Sequence, residues 1–440
     1  MEKIKVGMVS LGCSKNQVDA ELMMGRMAKE GLELCGDLSR CQAVVVNTCG
    51  FIEAAKAESI ETILEFCKLK EEGAIRCVVV TGCLAERYRE ELVREIPEAD
   101  VVLGIGSNSD IAAAIRRALD GDRVVEFGDK GALSLEGERL LANAPYFAYV
   151  KVAEGCDNRC SYCAIPLIRG GYRSRPMEKI VEEARALAKS GVKELNLVAQ
   201  DTSRYGLDLY GEYRLPQLID QVCAIPEVEW VRILYCYPSR ITDELIETMA
   251  RQPKVVKYID IPIQHASARV LREMNRTGSR EEILDLCRRM REGIPGVVLR
   301  TTLIAGFPGE TEEDFEELCR LVEEARFERL GCFAYSQEED TPAGEREDQV
   351  DPQVRQRRAE IIMEKQMNIA FAFAQSCVGR TLDVLVEGKK GRLWYGRSYM
   401  DAPDIDTRVY FTSGKKYVPG EMVCVIIKDS KEYDLLGEAL

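Results

Sequence analysis

The sequence predicts an α/β protein in three parts. These are an N-terminal α/β domain with a parallel sheet, a central partial (β/α) barrel, and a small antiparallel β-barrel at the C-terminus. Three observations carry this reading. Apolar runs alternate with helical patterns over residues 1–120, and the alternation resumes over 146–375. Those runs are continuous rather than alternating, which marks strands covered on both faces by helices. Residues 376–440 change grain to short strands separated by Gly, Asp and Lys turns.

The elements follow in order. IKVGMVSL reads as a strand and DAELMMGRMAKEG as a helix ended by Gly31. AVVVNTC is the next strand, with a helix running to about Phe66; IRCVVVTGC and VVLGIG are strands, and SDIAAAIRRAL is a helix capped by Ser or Asp. Residues 121–145 are rich in Gly and charge and read as a linker. FAYVKVA, ELNLVAQ, WVRILYCYP, VKYIDIPIQ, VVLRTTLIAG and RLGCFAYS are the strands of the second alternation. Six βα repeats fit an incomplete barrel. The segment EEDTPAGEREDQVD reads as mobile, and PQVRQRRAEIIMEKQMNIAFAFAQS as a long helix leading away. TLDVLVEG, LWYGRSY, RVYFT and EMVCVIIKD are the strands of the last part.

Composition narrows the chemistry. The N-terminus lacks an apolar signal core and no apolar run approaches a membrane span, so a cytoplasmic protein with no membrane partner is expected. Seventeen cysteines in such a chain favour metal ligation over a disulfide framework. Cys35, Cys67, Cys77, Cys223, Cys287, Cys319, Cys332 and Cys424 lie in helical or strand patterns and read as core filling. The single histidine, His265, excludes mechanisms built on several histidines. It reads as a capping or supporting residue. The net charge of −14 disfavours a nucleic-acid partner and suits a basic protein.

The stretch E-G-C-D-N-R-C-S-Y-C places Cys156, Cys160 and Cys163 just after the strand FAYVKVA. Three thiols are one short of a closed zinc site, and no other CxxC pair exists to complete one. On a barrel, the carboxyl ends of the strands form the reactive face. In the first part, Cys13, Cys49 and Cys83 each end a strand, in S-L-G-C-S-K-N, N-T-C-G-F and T-G-C-L. Ligands in open α/β sheets collect at that edge. The plain alternative is three buried core thiols. Cys41 begins a strand and so falls at the other end.

C-D-N-R-C-S-Y-C resembles the CxxxCxxC signature of the radical S-adenosylmethionine (SAM) superfamily, including the aromatic Tyr162 before the last Cys. L-G-C-S-K-N-Q-V-D-A-E, N-T-C, the triplet and a terminal β domain occur in the order found in the methylthiotransferases, and this resemblance covers essentially the whole chain. It implies two 4Fe-4S clusters, one on Cys156, Cys160 and Cys163 and one on Cys13, Cys49 and Cys83, each with an open iron. It implies that SAM chelates the first open iron and is cleaved by one electron to a 5′-deoxyadenosyl radical. The second cluster would present sulfur, methylated by another SAM, to the carbon radical. Such chemistry needs an electron donor such as flavodoxin or ferredoxin and a sulfur donor that the sequence does not identify.

Other candidates come from the barrel. Gln200 and Asp201 end one strand, and Gln264 and His265 another. T-T-L-I-A-G-F-P-G-E, containing Gly306, resembles the radical SAM motif near the SAM adenine. Arg300 is a candidate for the SAM carboxylate, since Arg suits paired carboxylate contacts. Tyr162, Gln200, Gln264, Arg300 and Gly306 are therefore the expected SAM contacts.

The family divides by substrate. A-I-P-L-I-R-G-G-Y-R-S-R, N-T-C-G-F-I and Y-G-R-S-Y-M-D-A-P-D-I-D (Tyr395–Asp406) resemble the branch that modifies an aspartate β-carbon of ribosomal protein S-twelve. The tRNA-modifying branch usually has V-R-G-R-E-x-S-R and N-T-C-x-x-R instead. Residues 379–440 hold ten basic and ten acidic side chains, whereas a tRNA-gripping domain should be basic. The D-A-P-D-I-D loop suits a basic protein, or is a solvated turn. Trp394 and Tyr395 stack a base or, better, fill the small barrel. The alternatives are methylthiolation of a tRNA adenosine and, in another class, a ribosome- or tRNA-binding module with structural clusters.

Overall fold

The computed structural model describes residues 3–142 and 144–440. They divide into two compact units, one of residues 1–144, 153–175 and 338–341, the other of 145–152, 176–337 and 342–440.

The first unit is built on six parallel strands, β1 (Lys5–Ser10), β2 (Glu33–Leu34), β3 (Ala43–Thr48), β4 (Cys77–Gly82), β5 (Val101–Leu103) and β6 (Val124–Glu126), in the order β2-β1-β3-β4-β5-β6. Every residue of β3 and β4 is buried, because helices cover both faces. On one face α1 (Ser14–Lys29) supplies Met23 and Met27; on the other α2 (Glu53–Glu71) supplies Ile63 and Phe66, and α3 (Cys83–Glu95) supplies Leu84 and Leu92. α4 (Ile111–Leu119) adds Ile111 and Ile115 to the first face. Its expected side-chain cap is absent. The Asp110 side chain makes no capping bond, because a 3-10 turn over Ile105–Asp110 runs straight into the helix.

β2 and β6 were not legible as strands. Two or three residues at a sheet edge carry no periodicity of their own. β6 also means that the segment expected as a linker contributes a strand to this sheet.

After β7 (Phe147–Lys151) come β8 (Ala153–Glu154), the cysteine loop, α5 (Ile165–Arg169) and β9 (Arg173–Ser174), which pairs antiparallel with β8. These last elements belong to the first unit. So does Glu338–Thr341 of the segment expected to be mobile. Glu338 accepts from Arg87 at 2.8 Å and lies 3.3 Å from the Lys56 ammonium. Glu338 is buried and paired there, whereas Glu339, Asp340, Glu345, Glu347 and Asp348 are exposed.

In the second unit, β7, β10 (Glu194–Val198), β11 (Trp230–Ile233), β12 (Val255–Asp260), β13 (Val298–Ala305) and β14 (Arg329–Ala334) form one parallel sheet in chain order. That is the incomplete barrel the repeats predict. The helix Pro352–Ser376 follows, within the bounds the sequence marks. The last strands, β15 (Thr381–Lys390), β16 (Leu393–Ser398), β17 (Val409–Thr412), β18 (Met422–Lys431) and β19 (Asp434–Ala439), close into a five-stranded barrel. It is not wholly antiparallel, since β17 pairs parallel with β19, a strand the sequence did not reveal. Trp394 is buried and packs edge-on to Tyr417 at 5.4 Å, as a core residue should; Tyr395 is half-buried, beneath the Arg408 guanidinium. Cys424 departs from the expected core filling. It is exposed and donates to Asp383 at 3.0 Å. Among the described residues no helix is long and apolar enough to cross a membrane.

Candidate cluster sites

The carboxyl edge of the first sheet gathers three cysteines. Cys13 caps the N-terminus of α1, Cys49 follows β3, and Cys83 follows β4 and opens α3. Helix N-termini favour anionic ligands there. Their loops are in contact. A Cβ on Gly12, beside Cys13, would lie 2.7 Å from Cys49 Cβ and 2.8 Å from its sulfur. One on Gly50, beside Cys49, would meet Leu84 Cα at 2.8 Å. Asn16 Nδ2 donates to Leu11 O at 2.7 Å and Thr48 O at 3.2 Å, tying the first loop to the second. Ser59 Oγ accepts from Cys49 N at 3.0 Å and fixes the second loop on α2.

Electrostatics divides the three thiols. Crowding by protein atoms pushes the Cys13 thiol up, but Lys15, Arg169 and the backbone N–H groups of Asn16 and Lys15 outweigh it, so its pKa falls below 9.0. Cys13 is exposed to solvent. Burial, then the neighbouring Cys83 thiol, pushes Cys49 up to about 11. Burial likewise raises Cys83, against the pull of Arg169. A bound metal centre reverses that logic, because coordination deprotonates thiols outright. Among the described residues no three Cys, His, Asp or Glu side chains converge on one metal ion. Separate thiols at one sheet edge fit an iron–sulfur cluster, whose ligands bind different irons.

Cys156, Cys160 and Cys163 lie on the loop between β8 and α5, all half-buried. The loop is held at its base. Cys156 N donates to Gly170 O at 3.1 Å, Cys163 N to Cys160 O at 3.0 Å, and Tyr172 N to Asp157 Oδ1 at 3.1 Å. Tyr162 is half-buried within the loop. Ala164 and Ile168 pack with Cys83 in one apolar cluster. Cys83 therefore packs against α5, the helix that follows the second cysteine loop. No periodicity in the sequence could show this. The same is true of Arg169, Asn16, Asp19 and Glu154, which line the contact and which the sequence reading did not single out.

In the second unit, Gln264 and Gly306 come together at the end of β13. Gln264 N donates to Thr302 O at 2.9 Å and Ile304 N to Gln264 O at 2.8 Å, with Gln264 held at φ +78°. Glu310 Oε2 accepts from Gly306 N at 2.8 Å and Phe307 N at 3.2 Å, and its other partner is His265 Nε2 at 3.2 Å. Ser267 N donates to His265 Nδ1 at 3.0 Å, which places the ring proton on Nε2. His265 thus supports the glycine turn, as its isolation in the sequence suggests. Gln200 is half-buried after β10, beside a buried Asp201 that accepts from Ser203 at 2.6 Å.

Arg300 lies apart from Gln264 and Gly306. It lies near the start of β13, six residues before Gly306, or about 20 Å at strand rise. Its Nη1 bonds Asp260 at 2.7 Å, and Asp406 stands 3.8 Å away. These carboxylates already occupy its guanidinium, and a contact with the SAM carboxylate would have to compete with them. The D-A-P-D-I-D loop is a correction. Asp401 is buried and accepts from Arg329 and Thr407, both at 2.7 Å; Asp406 accepts from Tyr258 at 2.7 Å. Only Asp404 is exposed among its three carboxylates, so the loop is neither a docking surface for a basic partner nor a solvated turn.

Replacing Gly306 with alanine is expected to destabilise the turn by about 1–3 kcal/mol. Its φ is +75°, and a Cβ would lie 2.4 Å from Arg355 Cγ and 2.8 Å from Arg355 Cα. A thermal melt checks this, and an unchanged midpoint would show that the helix Pro352–Ser376 yields instead.

Residues 150–322 match the Radical SAM superfamily, 5–104 the Uncharacterized protein family UPF0004, and 378–440 the TRAM domain. The chain is 48% identical over 439 residues to the ribosomal protein uS12 methylthiotransferase RimO of Lachnoclostridium phytofermentans, covering 99% of this chain and 100% of that one. It is 51% identical over 441 residues to the RimO of Pelotomaculum thermopropionicum, covering 99% of both. The radical S-adenosylmethionine methyltransferase TsrM of Kitasatospora setae shares the fold, with a TM-score of 0.57 at 15% identity over 78% of this chain and 75% of that one. Sequence likeness over the full length, with the three domains in their order, shows that this chain is a transferase belonging to the RimO methylthiotransferase family, within the radical SAM superfamily.

Proposed function

We propose that the chain transfers a methylthio group to the β-carbon of an aspartate in ribosomal protein S-twelve. In this reading Cys156, Cys160 and Cys163 hold one 4Fe-4S cluster and Cys13, Cys49 and Cys83 a second. When bound, the clusters and SAM supply the radical and the sulfur chemistry. The protein holds the six thiolates and excludes water, and Gln264 and Gly306 are assigned to SAM. Tyr162 and Gln200 are assigned to the same cofactor.

One observation carries the reading: Cys83 packs against Ala164, next in the chain to Cys163, and against Ile168. Two cysteine sets that share a wall can serve one substrate carbon in succession. The names of the relatives, and the even charge of residues 379–440, support a protein substrate over tRNA. The test is anaerobic reaction with SAM and dithionite, offering an S-twelve peptide and, separately, tRNA. Mass spectrometry is expected to find the methylthio group on the peptide aspartate. The group on tRNA instead would establish the other substrate, and absence of SAM cleavage would leave only a binding module.

A further inference from the structure

Arg169 ends α5, six residues after Cys163, and its side chain is only 2% exposed. Four partners surround it. Nη1 donates to Asp19 Oδ2 at 2.5 Å and lies 3.4 Å from Glu154 Oε2. Nη2 donates to Asn16 Oδ1 at 3.2 Å and to Cys83 Sγ at 3.1 Å. Two carboxylates could have occupied the whole fork. Instead they hold one arm, an amide steadies the other, and that other arm points at sulfur. The guanidinium is rigid and planar, so fixing two of its edges sets the direction of the rest.

We propose that Arg169 is a positioning residue that tunes the cluster held by Cys13, Cys49 and Cys83, donating an N–H···S hydrogen bond to the Cys83 ligand and raising the reduction potential of that cluster. The inference rests on the reading that those three cysteines hold a cluster. Hydrogen bonds to the sulfurs and nearby charge are levers on cluster potential, because reduction adds negative charge that a donor and a cation stabilise. Since Arg169 belongs to the segment that follows the other three cysteines, one part of the chain supplies ligands to one cluster and tunes its neighbour.

The experiment uses the full chain with Cys156, Cys160 and Cys163 replaced by alanine, so that a single cluster is read. After anaerobic reconstitution, iron is counted and the midpoint potential is measured by dithionite titration followed by electron paramagnetic resonance. Arg169→Met removes the donor and the charge. Arg169→Lys keeps the charge and loses the planar fork. Both are expected to retain iron. The methionine variant should lower the potential by at least the equivalent of tenfold in the one-electron reduction constant, about 59 mV, and the lysine variant by less. Methionine removes a buried cation from beside Asp19 and Glu154 and can fail to fold; the lysine variant then decides alone. Retained iron with an unchanged potential in the folded variants overturns the inference and leaves the cluster reading intact. A background protein that loads no cluster overturns both.

Discussion

Replacing Cys156, Cys160 and Cys163 together with alanine is expected to abolish reductive cleavage of SAM and to lower reconstituted iron from about eight per chain to about four. The first effect follows from the open iron, which these three thiolates alone would hold in place. The second follows from the separate set Cys13, Cys49 and Cys83 at the carboxyl ends of β1, β3 and β4. The companion variant, Cys13, Cys49 and Cys83 to alanine, should also fall to about four irons yet still release 5′-deoxyadenosine. Anaerobic iron and sulfide analysis with product chromatography checks both. About four irons in the unaltered chain, falling to none in the first variant, would sink the two-cluster reading.

Arg397→Ala is expected to lower the stability of the second unit by about 3–5 kcal/mol, as loss of one member of a buried ion network does. Arg397 Nη2 bonds Glu194 Oε2 at 2.6 Å and its Nε bonds Glu387 Oε1 at 2.6 Å; Arg232 Nε bonds the other Glu194 oxygen at 2.8 Å. Glu194 is fully buried at the first residue of β10. Burial pushes its carboxyl up, but Arg397 and Arg232 overcome this and hold it below the ordinary 4.5. A depressed carboxyl contributes stability that is complete above 4.5 and is lost as pH falls through the folded value. In the variant that depression weakens, since only Arg232 of the two cations remains, and protonation of Glu194 relieves the poorly compensated charge. The gap between the two proteins should therefore be widest near neutral pH and narrow below 4.5. Urea midpoints at several pH values test it, and a gap independent of pH would assign the loss to packing alone.

The same network shows where sequence reasoning stopped. Continuous apolar runs such as AVVVNT and CVVVTG announce buried parallel strands, because a strand covered on both faces has no polar alternation to display. The C-x-x-x-C-x-x-C spacing is local, so it was legible directly. Cys13, Cys49 and Cys83 were legible through topology, since each ends a strand and parallel strands share one carboxyl edge. What the sequence could not show is which charges meet. Asp401 and Asp406 read as an acidic surface, yet they pair with or face Arg329 and Arg300, some seventy to a hundred residues earlier. Arg169 sits in a stretch legible only as a resemblance, but folding carries its side chain to Cys83, 86 residues away.

By itself, then, the sequence determined the three-part fold and pointed to the six candidate cysteines, because both are written in local pattern and strand order. Only the tertiary structure decided which partners Arg169, Arg300 and the acidic loop meet. A buried charge is satisfied by whatever partner the packing brings within about 3 Å, and no spacing along the chain encodes that partner.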